Sequence, residues 1–206
     1  MNACTTCNCT GAIDPVDPKR RQLLFATSAV AAAAGMAVAV PFVSTFAPSE
    51  RARAAGAPVE VDISKLTPGS IMTVEWRGKP VWIVNRTPEM MATLKKVEAK
   101  LADPQSTRPQ QPAYATNDYR SIKPEIFVAV GICTHLGCSP SEKFTPGTPQ
   151  GMAPDWDGGF FCPCHGSQFD LAGRVLKNMP APTNLEIPPH QYLAEMRLII
   201  GDDGKT

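Results

Sequence analysis

The stretch CPCHGS, Cys162–Ser167, places two cysteines and a histidine within four residues. An earlier stretch, CTHLGC (133–138), also contains two cysteines and a histidine, in a different order. Each stretch contributes one cysteine–histidine pair: Cys133 with His135, and Cys162 with His165. Thiolates and imidazoles are common protein ligands of metal ions, so the two stretches together predict a metal centre assembled from two loops.

The way the ligands are divided between the loops separates two kinds of metal centre. Structural zinc sites of mixed type usually take two cysteines from one segment and two histidines from another. Here each loop supplies one cysteine and one histidine. Each loop also has one additional cysteine, Cys138 in the first and Cys164 in the second. A two-iron cluster explains this division better, because the two cysteines can bind one iron and the two histidines the other. A structural zinc-binding module stays the alternative.

The pattern C-T-H-x-G-C followed by C-P-C-H-G-S resembles the Rieske iron–sulfur family, in which two histidines replace two cysteines on one iron. The likeness continues in WRGKPVWIVNRT (76–87) and IFVAVGICTHLGC (126–138), which look like the base domain of the Rieske subunits of ubiquinol–cytochrome c oxidoreductase. It covers residues 20–201. The resemblance implies a mainly β protein: an antiparallel β-sandwich head with an inserted cluster-binding subdomain, about 132–182, preceded by one N-terminal transmembrane helix.

The resemblance also implies a role for each residue of the site. The expected ligands of one [2Fe–2S] cluster are Cys133, His135, Cys162 and His165. Cys138 and Cys164 are expected to form a disulfide between the loops, and Ser167 to donate a hydrogen bond to a bridging sulfide. His165 is the ligand expected to meet a quinol, which makes it the catalytic residue of the complex.

Several neighbouring residues complete the expectation. Gly137 and Gly166 are expected at positive φ or at a close backbone approach. Leu136 is expected at the docking tip, and Met179–Pro182 matches the proline-rich loop that covers the third side of the cluster. His190 has no ligand spacing and is expected at the surface.

Phe169 departs from the family pattern, because high-potential members commonly carry a tyrosine whose hydroxyl donates to a ligand cysteine. Phenylalanine has no donor, so we expect a potential below that of tyrosine-bearing relatives and above that of Cys₄ ferredoxins. The segment 139–159 is longer than in mitochondrial members, and the sequence predicts no role for it.

The function implied is electron transfer in a respiratory quinol–cytochrome c oxidoreductase. The head accepts one electron from quinol, coupled to a proton at a ligand histidine, and passes it to a c-type cytochrome. The implied partners are a cytochrome b subunit, a c-type cytochrome subunit and quinol, in a dimeric complex. The Rieske subunit of a periplasmic arsenite oxidase is the alternative. A ring-hydroxylating dioxygenase component is disfavoured, because those proteins are cytoplasmic and lack the spare cysteines.

The N-terminal third predicts a membrane anchor. Residues 23–47 carry no formal charge, and the paired Arg20 and Arg21 ahead of them read as a twin-arginine export signal. A cleaved signal peptide ending at ARA (52–54) is the alternative, but this run exceeds the roughly 7–15 residues of a signal h-region.

The predicted parts are a cytoplasmic tail (1–22), an anchor (23–47), a flexible hinge linker (48–58) and a head (59–206). The head is expected in the periplasm of a bacterial inner membrane. The tail cysteines Cys4, Cys7 and Cys9 have no predicted partner ligands.

Alternation and β-branched content predict strands in the head, at 59–63, 71–76, 80–85, 125–131 and 192–201. One helix is predicted over 87–104, with Thr87 as its N-cap and Pro88 in its first turn. A net charge of +1, from 20 basic and 19 acidic residues, gives no basic surface and argues against nucleic-acid binding.

Overall fold

A computed structural model describes residues 17–50, 56–147, 152 and 155–204 of the chain. The chain divides into two compact units, residues 1–49 and residues 50–206. The three tail cysteines and residues 51–55 of the predicted linker lie outside the described residues.

The described residues of the first unit contain one long helix, α1 (Pro18–Ser44), whose side chains are all exposed. Asp17 caps its start by accepting a hydrogen bond from the backbone N–H of Lys19 at 2.9 Å. The helix continues through Pro41, and its 27 residues span about 40 Å, against about 30 Å for the hydrocarbon core of a bilayer. In the described part of the chain it is the one helix long and apolar enough to cross a membrane, as the predicted anchor requires.

The second unit is built from nine described strands in three antiparallel sheets, which confirms the expected mainly β head. The terminal sheet has the order β1–β9–β8, the central sheet β2–β3–β4 and the small sheet β5–β6–β7. The strands are β1 (Val59–Asp62), β2 (Ile71–Trp76), β3 (Lys79–Asn85), β4 (Ile126–Val130), β5 (Ser141–Lys143), β6 (Gly159–Phe161), β7 (Gln168–Phe169), β8 (His190–Ala194) and β9 (Arg197–Ile200).

The central sheet separates two hydrophobic cores. Alternate residues of β3 and β4, such as Trp82 and Phe127, pack in one core together with Cys133 and Cys162. The residues between them pack in the other core, against the terminal sheet. Side chains alternate between the faces of a strand, so a strand buried on both faces reads as a continuous apolar run. One face of the central sheet therefore supports the predicted metal site.

The predicted helix is shorter than its sequence pattern suggested. Helix α2 (Pro88–Lys96) begins at the expected cap, where Thr87 accepts a hydrogen bond from the N–H of Met90 at 3.3 Å. A 3₁₀ turn (Glu98–Lys100) follows, and the chain then pairs with the segment after β7. The backbone N–H of Ala102 donates to the carbonyl of Val175 at 3.0 Å, a bond that continued helix would not allow.

Two further predictions were wrong. The single strand predicted at 192–201 is the hairpin β8–β9, which turns between Ala194 and Arg197. His190, predicted at the surface, is only 1% exposed. Its Nδ1 lies 2.8 Å from the carbonyl oxygen of Pro188, and its backbone N–H donates to the Tyr114 hydroxyl at 2.7 Å.

Candidate metal centre

The two motif stretches form two loops at the edge of the first core. The first ligand loop (133–138) follows β4, and the second ligand loop (162–167) joins β6 to β7. The chain reaches the first loop through Gly131, where a Cβ atom would lie 2.3 Å from the ring of Trp82. Glycine is therefore required for the central sheet to run directly into the loop while the indole packs against it.

Both ligand loops have the same backbone hydrogen bonds. In the first loop, the N–H of Cys133 donates to the carbonyl of Cys138 at 2.7 Å, and the N–H of Gly137 donates back to Cys133 at 3.1 Å. In the second, the N–H of Cys162 donates to Ser167 at 2.8 Å, and Gly166 donates back to Cys162 at 2.9 Å. Each loop thus closes over its first cysteine and presents the residues in between.

The glycine of each loop has the positive φ that the sequence predicted. Gly137 has φ of 86° and Gly166 has φ of 77°, and a Cβ atom at either position would meet nothing within 4 Å. The left-handed conformation, rather than lack of space, therefore favours glycine at both positions.

The spare cysteines are joined, as the resemblance implied. Cys138 and Cys164 form a disulfide with a Cα–Cα distance of 6.7 Å. The sulfur of Cys162 lies within 4.8 Å of both disulfide sulfurs, so the three form a geometric group. Sulfurs bonded to each other are not thiolate ligands, however, which leaves Cys133 and Cys162 as the loops' free thiols.

These two free cysteines are buried, each 2% exposed. Burial raises the pKa of the Cys133 thiol, which interacts with the Cys162 thiol and with the hydroxyl of Ser167. Metal binding at Cys133 would therefore release a proton from a thiol that is otherwise kept protonated.

The two loop histidines are side by side. The ring centroids of His135 and His165 are 4.7 Å apart, and the rings are nearly perpendicular, at 86°. The Nδ1 atom of His135 is buried and has no hydrogen-bond partner among the described residues. His165 and Leu136 are exposed, Leu136 by 71%. A buried nitrogen without a hydrogen-bond partner, beside a second imidazole, fits a pair of histidines that bind a metal.

The site residues therefore suit a Rieske-type centre. Two buried thiols and two adjacent imidazoles supply the two sulfurs and two nitrogens that such a cluster takes from protein. The structure brings together the four predicted ligands; that they bind the irons stays a prediction.

The predicted third side of the site is held by two hydrogen bonds from the loops. The hydroxyl of Ser167, which is fully buried, accepts a hydrogen bond from the N–H of Ala181 at 3.0 Å. Its own proton is left to donate, as its expected role requires. The hydroxyl of Thr134 donates to the carbonyl of Thr183 at 2.7 Å. Thr134 lies inside the first motif, but the ligand spacing gave no reason to assign it a role.

Phe169 lies fully buried in the same core as the two free cysteines. It pairs with Phe160 across β6–β7, and its side chain brings no hydroxyl to this core.

The segment 139–159, in its described residues, extends the small sheet through β5, which pairs with β6. Lys100 fixes the end of this segment through ion pairs with Asp155 and Asp157.

Comparisons with known proteins show what this chain is similar to. The Rieske [2Fe-2S] domain family matches residues 58–189. The chain is 59% identical, over 91% of its length and 91% of the relative's, to the ubiquinol-cytochrome c reductase iron-sulfur subunit of Allochromatium vinosum. It is 42% identical to the subunit of the same name from Bradyrhizobium diazoefficiens, over 89% of this chain and 95% of the relative. A solved chain titled "Hyperthermophilic respiratory Complex III" is 25% identical, with a TM-score of 0.45, covering 84% of this chain and 97% of that one.

Proposed function

Because the chain belongs to the Rieske [2Fe–2S] domain family and, within it, to the iron–sulfur subunits of ubiquinol–cytochrome c reductase, we propose that its head carries single electrons from ubiquinol to a c-type cytochrome. The chain is one subunit of an oxidoreductase and is not catalytic alone. The observation that carries the proposal is that the same two loops supply a pair of adjacent imidazoles and two buried thiols.

The cluster, when bound, supplies one-electron chemistry at a metal. In our proposal Cys133 and Cys162 hold one iron, and His135 and His165 hold the other. His165 is the exposed member of the histidine pair, so it is the one that quinol reaches. It accepts a hydrogen bond from the quinol hydroxyl and takes up the proton that leaves with the electron. Leu136, exposed beside it, gives the tip an apolar contact for the quinol-binding partner.

The disulfide and Ser167 support this role from behind the ligands. The disulfide ties the two ligand loops together, so that the imidazoles keep their relative position. The hydroxyl proton of Ser167 is available to the sulfur side of the site, and such donors raise the reduction potential by stabilising the more negative, reduced state.

We further propose that α1 anchors the chain in the inner membrane of a bacterium, with the head (59–206) in the periplasm. The basic residues at the start of α1, Lys19 to Arg21, favour a cytoplasmic N-terminus. Export through the twin-arginine route carries a folded head with its cofactor in place. The partners are a cytochrome b subunit and a c-type cytochrome subunit, in a dimeric complex.

Electron paramagnetic resonance on membranes reduced mildly with ascorbate tests the proposal. We expect a rhombic Rieske-type signal, because ascorbate reduces only centres of high potential. A signal that requires dithionite would show a low-potential centre unsuited to quinol oxidation. Zinc in place of iron in the purified protein would overturn the redox function altogether.

The predicted linker (48–58) gives a second test. We propose that the head moves on this segment between quinol and cytochrome. Additional prolines there stiffen the chain and should slow turnover of the complex while leaving the resonance signal unchanged. Normal turnover in such a variant would contradict movement on the linker.

A further inference from the structure

The head contains an excess of buried positive charge. Arg86, Arg120 and Arg174 are at most 2% exposed, and Asp170 is the one buried carboxylate among the described residues. Three positive charges thus face one negative charge. Buried charges are usually paired, because removing an unpaired ion from water costs free energy. Packing alone therefore does not explain this arrangement, which we call the buried arginine cluster (Arg86, Arg120, Arg174).

Among the described residues, Asp170 forms a salt bridge with one arginine, Arg174. Its Oδ2 atom accepts from both Nε and Nη2 of Arg174, each at 2.8 Å. Its Oδ1 atom accepts the backbone N–H groups of Ala172 and Arg174, at 2.9 and 2.7 Å, and so closes a tight turn (170–174). Asp170 also attracts Arg86 and Arg120 at longer range, but one carboxylate balances only one of the three guanidinium charges.

Arg86 and Arg120 are bonded to neutral oxygens instead. Arg86 donates to the carbonyl of Leu171 at 3.1 Å, and Arg120 to those of Ala172 and Leu185 at 3.0 and 2.8 Å. Neutral carbonyls stabilise a guanidinium without cancelling its charge. Burial lowers the pKa of both arginines to about 10, so both remain cationic near neutral pH.

The buried arginine cluster is connected to the second ligand loop through the 170–174 turn, because Arg86 and Arg120 donate to carbonyls of that turn and Arg174 belongs to it. The 170–174 turn follows β7, which itself follows Ser167 of the second ligand loop. Asp170 lies three positions after Ser167, and three extended residues span at most about 11 Å. Charges at this range interact appreciably in a buried environment, where salt does not screen them as it does at the surface.

We infer that the buried arginine cluster tunes the electron-transfer site: its uncompensated positive charge stabilises the reduced, more negative state and raises the reduction potential. The arginines act through the field they place on the ligand loops, without contact with substrate. This inference rests on the proposed function. The buried arginine cluster would raise the reduction potential, whereas Phe169, which has no hydroxyl donor, is expected to lower it.

Redox titration of the resonance signal, in membranes containing the full chain, tests this inference. Arg86→Gln and Arg120→Gln remove a charge, and each should lower the equilibrium constant for reduction at least threefold, a shift of about 28 mV at 59 mV per tenfold for one electron. Arg86→Lys and Arg120→Lys keep the positive charge but lose the planar guanidinium group. They should shift the reduction potential much less than the glutamine variants. Arg197→Gln is the matched control, since that arginine pairs with Glu60 at the surface of the terminal sheet.

Asp170→Asn should change the reduction potential in the opposite direction to the arginine variants. General damage to the structure would not produce this opposite change. This substitution removes the one buried negative charge among the described residues, so the potential should rise, whereas Arg86→Gln and Arg120→Gln should lower it. If the glutamine variants fail to retain a cluster, the lysine and asparagine variants decide. Potentials that stay within error of the parent, or that fall in Asp170→Asn, overturn the inference. A parent protein without a Rieske signal would instead refute the proposed function, so the two failures are distinguishable.

Discussion

The two ligand loops share one backbone turn but present their metal-binding side chains from different positions. Both close with a cysteine N–H bonded to the sixth residue and a glycine N–H bonded back to the first. The histidine is the third residue in the first loop and the fourth in the second. The spare cysteine is the sixth residue in one and the third in the other. The backbone therefore fixes the first cysteine and the glycine, while the residues between them set which ligand reaches the metal.

The surroundings of the two loops also differ. The first loop presents a half-buried His135 and is followed by exposed Ser139. The second presents an exposed His165 and continues into β7 and the buried 170–174 turn. The exposed imidazole, the one expected to meet quinol, thus lies on the loop that continues into buried residues. This arrangement lets one side chain face a partner while its backbone stays fixed.

The largest expected effect comes from removing either histidine. His135→Asn and His165→Asn each remove one of two nitrogen ligands, and we expect both to abolish the Rieske signal in membranes. His190→Asn is the matched control, because His190 is a buried histidine bonded to Pro188 and lies outside both loops. A variant of His135 or His165 that keeps the signal would show that the loops are not equivalent in supplying ligands.

The next effect tests the connection between the loops. Replacing both Cys138 and Cys164 by alanine removes a disulfide that spans 26 residues. In the chain-entropy account this lowers the free energy of unfolding by about 3 kcal/mol. Urea unfolding followed by cluster absorbance measures the change. Unchanged stability would indicate that the shared hydrogen bonds alone hold the loops together.

The glycines test the shared turn directly. Gly137→Ala and Gly166→Ala should each cost about 1–2 kcal/mol, because alanine disfavours the left-handed conformation and meets no other obstacle. Gly159→Ala is the comparison variant: its Cβ would clash with the carbonyl oxygen of Phe169, so it should cost more. Unequal costs at Gly137 and Gly166 would show that the two turns are less alike than their hydrogen bonds indicate.

Phe169→Tyr tests whether a hydroxyl donor in the core next to the second ligand loop changes the reduction potential. A tyrosine hydroxyl at this position would donate toward a ligand sulfur and should raise the reduction potential, as measured by redox titration. Phe160→Tyr on the neighbouring strand β6 is the control. No change in potential in Phe169→Tyr would mean that the missing donor does not set the potential.

The smallest expected effect is a pH dependence of stability from His190. Burial lowers the pKa of His190 in the folded state below its ordinary value of 6.5. The unfolded chain therefore binds the proton more readily, so stability is full above about pH 6.5 and declines as the pH falls below it. The decline should be weaker in His190→Asn. An identical pH profile for the variant would assign the acid sensitivity to other groups.

Sequence reasoning predicted local features of the two loops better than the framework around them. The positive φ of Gly137 and Gly166 and the Cys138–Cys164 disulfide are confirmed, and the ligand roles of Cys133, His135, Cys162 and His165 stay predictions. The strands β5, β6 and β7 have only two or three residues each, too few for alternation to be visible. The β8–β9 hairpin turns at Glu195 and Met196, without the glycine or proline that usually marks a turn.

The burial of charged residues could not be predicted from the sequence. Arginine is mostly exposed in folded proteins, and nothing in the sequence near Arg86 or Arg120 distinguishes them from surface residues. Their burial follows from carbonyls of the 170–174 turn, which lie 52 to 85 residues away along the chain. His190 is a similar case, since it is covered by Tyr114 from a distant loop.

Pulsed resonance spectroscopy of the reduced full chain, with and without ¹⁵N-labelled histidine, tests the central claim most directly. If both ligand loops supply one histidine to the same iron, the spectrum shows two strongly coupled nitrogens, and both change on labelling. One coupled nitrogen, or none that responds to the label, would contradict a centre built equally from the two loops.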